Sequence, residues 1–159
     1  MATVALMPAV DVYAGDEIRG KVLAILDGNT VQISLGNDDV RTVLLAGIDS
    51  PELGQPLAEE SRKLLESMIF RKDVTVQITG RNGFGEYIAI VKVSGKIDPR
   101  LELLKKGLAW ITEKYPDKTL EPYSMAAQQG KKGLWREKNP VPPWTYRRQQ
   151  TMLVPKTSA

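Results

Sequence analysis

The sequence predicts a mainly β domain with added helices: a five-stranded, closed barrel of the OB type flanked by about three helices. Alternating apolar and polar residues mark three short strands, then one helical pattern, then two more strands and two more helices. One helix inserted after the third strand is typical of a small barrel that carries its helices outside. The length of 159 residues fits one such domain and is short for two.

The strands are predicted from period-two patterns at residues 18–26, 30–35, 40–48, 74–79 and 87–93. Asp27-Gly28 separates the first two, and this dipeptide is typical of a hairpin whose central residues take positive φ. A second turn, at residues 36–39, leads into the third strand. The first three strands therefore form a meander.

The helices are predicted at residues 56–69, 99–106 and 120–132. The first opens at Pro56, and its apolar residues share one face: Leu57, Leu64, Leu65 and Met68. Gly107 and Gly133 are expected to end the other two. The prolines that follow residue 139 predict an extended segment laid on the surface.

Composition excludes several classes of chemistry. The chain is 42% hydrophobic and has 22 basic and 19 acidic residues, so its net charge of +3 permits an anionic partner without requiring one. It has no cysteine and no histidine, which excludes disulfides, thiol nucleophiles, imidazole metal ligands and Ser-His-Asp triads. Catalysis would therefore need carboxylates, Lys, Arg, Tyr, hydroxyl groups or a hard metal held by oxygen.

The chain divides into a flexible N-terminal segment at residues 1–17, the barrel domain at 18–138 and a proline-rich, basic tail at 139–159. Residues 1–10 are apolar, lack a basic start and contain Pro8. They fit either a truncated export signal or an unordered end, so a secreted or periplasmic origin stays open. They are far too short to span a membrane, and no membrane partner is expected.

Several short motifs occur in a recognisable order: DGNT at residues 27–30, LAGIDSPE at 45–52, GFGEY at 83–87, LKKGLAW at 104–110, GLW at 133–135 and PW at 143–144. Together they resemble the staphylococcal nuclease (thermonuclease) family over residues 18–148. That family has an OB barrel, which agrees with the strand pattern. In it, two aspartates and a backbone carbonyl hold calcium, a glutamate acts on the attacking water, and two arginines clamp the phosphate.

Carried over position by position, the resemblance leaves a depleted site. Asp49 matches one metal aspartate, Ser50 the residue that offers its carbonyl, and Glu52 the catalytic glutamate. Asn29 occupies the position of the other metal aspartate, and Leu44 and Glu86 occupy the positions of the two arginines. Glu52 is therefore expected to be vestigial, and calcium to bind no tighter than about millimolar, because affinity follows ligand charge.

The lost arginines matter most for catalysis. Removing one preorganised charge-stabilising group costs on the order of 10²–10³ in rate, and an arginine on a phosphoryl group is worth roughly 10³–10⁵. Glu86 also reverses the charge where phosphate would sit. Arg41 and Arg81 are the neighbouring arginines that could replace the missing ones.

Two further features bear on nucleic acid. Phe84 and Tyr115 match places where the family puts aromatic rings near the nucleotide, where they would stack on bases; alternatively, they cover the barrel mouth. The second feature is a basic cluster with a net charge of +5 within eighteen residues, consisting of Lys131, Lys132, Arg136, Lys138, Arg147 and Arg148 against Glu137. It would contact a phosphate backbone or is simply a solvated helix end.

The sequence therefore predicts a staphylococcal nuclease homologue that has lost most of its catalytic charges and serves as a non-catalytic or very weak binding module for single-stranded DNA or RNA. One alternative is a divergent calcium-dependent phosphodiesterase whose arginines come from unaligned positions. The other is a protein-interaction scaffold. Asn29, Leu44 and Glu86 separate the enzyme from the binding module.

Overall fold

The computed structural model describes residues 14–153, so most of the predicted N-terminal segment and the last six residues of the tail lie outside the described residues. Within that part, five strands close into a barrel in the order β1-β2-β3-β6-β5. Their bounds are β1 Glu17–Ile25, β2 Thr30–Ser34, β3 Val40–Leu45, β5 Asp73–Arg81 and β6 Tyr87–Val93. Strands β3 and β6 pair in parallel and the other barrel pairs are antiparallel. The predicted OB-type barrel is confirmed.

The third predicted strand is shorter than expected. It ends at Leu45, because the chain turns through Gly47, whose φ is 76°. Residues Ile48–Asp49 then form a separate strand, β4, which pairs with a short strand β7 at Trp110–Ile111 that the pattern did not predict. Asp49 lies opposite Trp110 in this two-stranded ladder. The ladder thus fixes the backbone of one predicted site residue outside the barrel.

The two early turns differ from the expectation in conformation. The Asp27-Gly28 hairpin forms, but neither residue has a positive φ. Instead the Asp27 carboxylate accepts a hydrogen bond of 2.8 Å from the backbone N–H of Asn29, which is an Asx turn. Positive φ values occur in the next turn, at Asn37 (48°) and Asp38 (60°). The predicted hairpin is therefore confirmed, but the positive φ values expected at its central residues are not found there.

Residues 14–153 contain four α-helices: α1 Ala58–Ile69, α2 Pro99–Lys105, α3 Glu121–Gln129 and α4 Pro143–Leu153. The first three correspond to the predicted helices, but the expectation that Gly133 ends the third was wrong: α3 ends at Gln129, where Gly130 is the C-cap, and Gly133 begins a separate 3-10 turn. Helix α1 starts two residues after Pro56, because Leu57 takes a left-handed conformation with φ of 68°. Gly107, with φ of 67°, follows the end of α2 as predicted. None of these helices has the length and apolarity needed to cross a bilayer.

Helix α4 corrects the expectation of an extended tail. The extended prediction was wrong because Pro143 is the first residue of the helix, where its ring presets φ and its missing N–H has no helical partner to lose. No proline follows within residues 144–153, so the helix continues.

The core lies inside the barrel and beneath α1 and α2. Inward residues of every barrel strand are fully buried, among them Val22, Ile33, Val43, Val76 and Val91. Leu65 and Ile69 of α1 and Leu103 and Leu104 of α2 extend the same cluster. Burying such side chains contributes about 1.5–3 kcal/mol each.

Three tryptophans join the barrel domain to the C-terminal helix. The ring of Trp110 contacts Trp135 at 4.7 Å and Trp144 at 5.7 Å between centroids, both in edge-to-face geometry. Such aromatic pairs contribute about 0.5–1.5 kcal/mol beyond the area they bury. Trp144 therefore anchors the start of α4 beside the β4–β7 ladder.

Candidate functional site

Asn29 sits where the hairpin between β1 and β2 meets the loop after β4. Its side chain is buried, and its Oδ1 accepts hydrogen bonds from Ser50, 3.2 Å from the backbone N and 2.7 Å from Oγ. Its Nδ2 lies 3.4 Å from the carbonyl oxygen of Ile48. The amide thus ties the two loops together, and its carbonyl oxygen is already used twice.

Asp49 and Glu52 meet a cation that comes from the far end of the chain. Arg147 of α4 places Nη2 2.8 Å from Oδ2 of Asp49 and Nη1 3.2 Å from Oδ1 of the same carboxylate. The same Nη1 lies 2.5 Å from Oε1 of Glu52. One guanidinium therefore bridges both carboxylates, and it binds Asp49 through two parallel N–H···O bonds, the strong form of this pair.

The electrostatics of this cluster are set by burial. Burial raises the pKa of Asp49 above its ordinary value of 3.8, and this effect outweighs the hydrogen bond and charge of Arg147, which lower it. Burial also raises the pKa of Asp27, partly offset by backbone N–H of Asn29. The pKa of Arg147 is raised, chiefly by its hydrogen bond to Asp49. The guanidinium stays charged beside Asp49, whose burial makes its ionised form costly.

Helix α4 is held in place by contacts besides Arg147. Gln55 donates from Nε2 to the carbonyl oxygen of Val141 at 2.9 Å, and Arg148 pairs with Glu113 at 2.7 Å. Gly54 faces the hydroxyl group of Tyr146, which lies 2.6 Å from where a Cβ would stand. With the Trp110–Trp144 contact, these anchors place Arg147 over Asp49 and Glu52, which we call the acid pair.

The two positions that the resemblance assigns to arginines hold no cation. Leu44 of β3 lies between Thr30 and Ile88 in the sheet and lines a largely apolar cavity of about 500 Å³ that also touches Asn29 and Ile48. Glu86 is held within its own turn, where Oε1 accepts from Nδ2 of Asn82 at 2.9 Å. An apolar side chain and a carboxylate thus stand at these two positions.

The neighbouring arginines are both packed on one ring. The guanidinium carbons of Arg41 and Arg81 lie 5.4 and 4.8 Å from the centroid of Tyr87. Each also donates to the Tyr87 hydroxyl group, at 3.1 and 3.3 Å. Arg81 additionally lines a cleft of about 970 Å³ that includes Asp49 and Arg147. The cation that reaches the acid pair is Arg147, which alignment by motif did not single out for this role.

The two aromatic candidates are exposed and separate. Phe84 is 91% exposed and Tyr115 95% exposed, so neither ring packs on the domain. Tyr115 lines the large cleft together with Lys114, whereas Phe84 lines a small pocket of about 180 Å³ beside Arg41. The structure does not bring the two rings to one cavity. Base stacking by either stays a prediction.

The predicted basic cluster is split in two by the fold. Arg147 and Arg148 bind carboxylates on the cleft side. The remaining four members are exposed, and within residues 14–153 they form no ion pair: Lys131, Lys132, Arg136 and Lys138. The backbone N–H of Leu134 binds the carbonyl oxygen of Gly107 at 2.8 Å, which brings these residues to the end of α2. We call these four residues, with Lys105 and Lys106, the helical basic surface.

The donor set does not fit calcium as it is arranged. Calcium takes six to eight oxygen ligands, with carboxylates foremost. Here the Asn29 oxygen accepts two hydrogen bonds and the Asp49 and Glu52 carboxylates are bound to Arg147. No group of three or more His, Cys, Asp or Glu side chains within residues 14–153 is placed to hold a metal ion. The weak calcium affinity expected from the sequence stays a prediction.

Comparison with known proteins agrees with the motifs and the barrel. A family model described as "Staphylococcal nuclease homologue" matches residues 42–137. The chain is 33% identical over 132 residues to a protein of Escherichia coli O157:H7 named "Uncharacterized endonuclease", covering 82% of this chain and 86% of the relative. It is 29% identical over 158 residues to the "Micrococcal nuclease" of Shigella flexneri, covering 92% and 89% of the two chains. A Haemophilus influenzae protein named "Uncharacterized endonuclease" is 32% identical over 135 residues, which is 82% of this chain and 73% of the relative.

Proposed function

Since the chain belongs to the staphylococcal nuclease family, we propose that it binds single-stranded DNA or RNA as a member with little or no phosphodiester-cleaving activity. The observation that carries the proposal is the ion pair of Arg147 with Asp49 and Glu52. It engages the two carboxylates that would serve metal binding and water activation. Carboxylate oxygens that accept hydrogen bonds from a guanidinium have fewer lone pairs left to bind a metal ion or to accept a proton from water.

The absence of phosphate clamps supports the same conclusion. Leu44 offers no charge, and Glu86 would repel a phosphate. If each missing arginine costs on the order of 10²–10³ in rate, the two together remove most of the acceleration expected from a phosphoryl-transfer site. Asp49, Ser50 and Glu52 alone do not replace that electrostatic stabilisation.

The distribution of charge indicates where nucleic acid would dock. The helical basic surface has six cations against Glu102 and Glu137, a net charge of +4, which exceeds the net +3 of the whole chain. At the acid pair, the two arginines of α4 face the carboxylates of Asp49, Glu52 and Glu113, a net charge of −1. The cleft as a whole is lined by four cations and two carboxylates, a net charge of +2, and two of those cations, Arg147 and Arg148, are already bound to carboxylates. A polyanion is therefore attracted to the helical basic surface rather than to the acid pair.

One observation favours the second candidate, a divergent calcium-dependent phosphodiesterase. The Arg147 side chain is 48% exposed and lines the cleft, so it has room to leave the carboxylates and meet a phosphate. In that case Arg147 would supply one of the two missing arginines from an unaligned position. The nuclease names of the relatives are consistent with this candidate.

A single assay separates these functions. The protein and its Glu52→Gln variant are incubated with end-labelled single-stranded DNA and RNA, in calcium or in chelator, and both cleavage and retention are scored. We expect retention without product, equal in calcium and chelator and unchanged by Glu52→Gln. Product that requires calcium and Glu52 would establish the phosphodiesterase instead. Neither retention nor product would contradict nucleic-acid binding and leave the protein-interaction scaffold.

A further inference from the structure

The acid pair is supplied with a cation by the chain itself. Two nitrogens of Arg147 reach three oxygens, both of Asp49 and one of Glu52, within 3.2 Å. In the described part of the chain, no other cation forms an ion pair with either carboxylate. We propose that the Arg147 guanidinium is the resident cation of this site and stands in for a divalent ion, so that α4 closes the site to metal. This inference does not depend on whether the chain binds nucleic acid.

The charge balance requires a cation at this place. The negative charges of Glu52 and Asp27 both raise the pKa of Asp49, and the charge of Glu52 also raises the pKa of Asp27. The Asp49 side chain is only 13% exposed, so water screens its charge poorly. Without a cation, these carboxylates would repel one another in a partly dehydrated loop. Arg147 removes that repulsion at the cost of ordering one side chain.

The helix presents the guanidinium in a fixed place. Trp144 packs on Trp110, Gln55 binds the carbonyl oxygen of Val141, and Arg148 pairs with Glu113. These contacts lie on both sides of Arg147 in the sequence. The guanidinium therefore arrives with much of its freedom already removed by the helix, and its planar fork matches the carboxylate.

The neighbouring donors are adapted to the absence of a metal. A metal ligand needs an available lone pair, whereas Asn29 Oδ1 accepts from both the N–H and the hydroxyl group of Ser50. Asn29 in turn donates towards the carbonyl oxygen of Ile48. The loop is thus cross-linked by hydrogen bonds on one side and by a guanidinium on the other, with no oxygen cage between them.

Thermal unfolding in calcium tests the proposal without an activity readout. The variants are Arg147→Gln, which removes the cation, and Arg148→Gln, a matched control that removes the adjacent exposed arginine. Each is melted with chelator and with calcium at about 10 mM, roughly tenfold above the weak end of oxygen-ligated sites. Terbium luminescence sensitised by tryptophan measures metal binding in the same proteins.

We expect the melting temperature of the parent and of Arg148→Gln to be indifferent to calcium. Arg147→Gln should melt a few degrees lower in chelator and recover part of that loss in calcium, and it should bind terbium more tightly than the parent by tenfold or more. A parent that gains as much stability from calcium as Arg147→Gln does would overturn the proposal. So would an Arg147→Gln variant that melts like Arg148→Gln and ignores calcium.

A second variant covers the case in which Arg147→Gln does not fold. Combining it with Asp49→Asn removes the repulsion together with the cation. If Arg147 acts by charge, this double variant should melt above Arg147→Gln and show no response to calcium. If Arg147 serves only to dock α4, the Asp49→Asn change should restore nothing, and the proposal is wrong.

Discussion

Arg147 and Arg148 differ in circumstance from the basic residues at positions 131–138, although all belong to one cluster in the sequence. The two arginines of α4 bind carboxylates of the chain itself, at Asp49, Glu52 and Glu113. The basic residues at positions 131–138 are exposed and form no ion pair within residues 14–153. A count of charges along the sequence therefore overstates the cations that are available to a partner.

The same comparison separates structure from recognition. Exposed ion pairs contribute little to stability, typically 0–1 kcal/mol each, so the Arg148–Glu113 pair is a minor anchor. The Arg147 pair is different because Asp49 is mostly buried and would otherwise lack a cation. One basic region is thus bound to the chain's own carboxylates, while the other is exposed and forms no ion pair within residues 14–153, as the proposed binding to phosphate requires.

The largest expected effect is the restoration of cleavage. Asn29→Asp, Leu44→Arg and Glu86→Arg would replace the three lost charges, and Arg147→Gln would release the acid pair. All four together should produce calcium-dependent cleavage about 10³-fold or more above the parent, because charge-stabilising groups act as a unit. Product formation from end-labelled single-stranded DNA measures the effect.

The control for restoration is the same triple change with Arg147 kept. It should cleave less than the quadruple variant, since the Arg147 guanidinium still competes for Asp49 and Glu52. A parent protein that already cleaves as fast as the quadruple variant would show that its site is active without these changes. Arg81, which lines the cleft, would then be the first residue to test.

A smaller effect is expected at the anchor of α4. Trp144→Ala removes the contact with Trp110 and should destabilise the fold by about 2 kcal/mol, less than for a fully buried tryptophan because Trp144 is half-buried. Urea unfolding measures the change, and Arg148→Gln serves as the surface control, expected to cost under about 1 kcal/mol. Equal losses in the two variants would mean that the tryptophan contact does not anchor the helix.

The smallest effect concerns Asp27. Burial raises its pKa in the folded state, so protonation favours folding: this stability is present below pH 3.8 and lost as pH rises through the raised pKa. Asp27→Asn keeps an acceptor for the N–H of Asn29 and removes the ionisation. The variant should be more stable than the parent at pH 7, with the difference vanishing below pH 3.8. Urea unfolding at both pH values checks the sign, and a less stable variant at pH 7 would contradict it.

The sequence predicted the barrel because its signals are local. Alternation within β2 and β6, and the helical face of α1, depend only on residues a few positions apart. Strand β4 and its partner β7 were missed because two-residue strands carry no period. Helix α4 was missed because its prolines dominate the composition of the segment although only the first helical position is a proline.

The candidate site was predictable in its residues and not in its contacts. The motifs located Asn29, Asp49 and Glu52, and the resemblance gave each an expected role. That Asn29 binds Ser50 depends on how two loops meet, 21 residues apart in the chain. The contact of Arg147 with Asp49 joins residues 98 apart and requires a helix that the proline pattern concealed. No spacing rule connects such positions without the fold.

The most direct test of the central claim is the salt dependence of binding to single-stranded DNA. The variants are Lys131→Glu/Lys132→Glu/Arg136→Glu, the α4 pair Arg147→Gln/Arg148→Gln, and a charge-matched control, Lys21→Glu/Lys63→Glu/Lys72→Glu, at exposed lysines elsewhere. Losing three phosphate contacts should reduce the slope of log K against log salt by about 2. We predict that loss in the first variant, with little change in the other two. The account would be contradicted if the α4 variant bound single-stranded DNA more weakly while the Lys131→Glu/Lys132→Glu/Arg136→Glu variant bound it as the parent does.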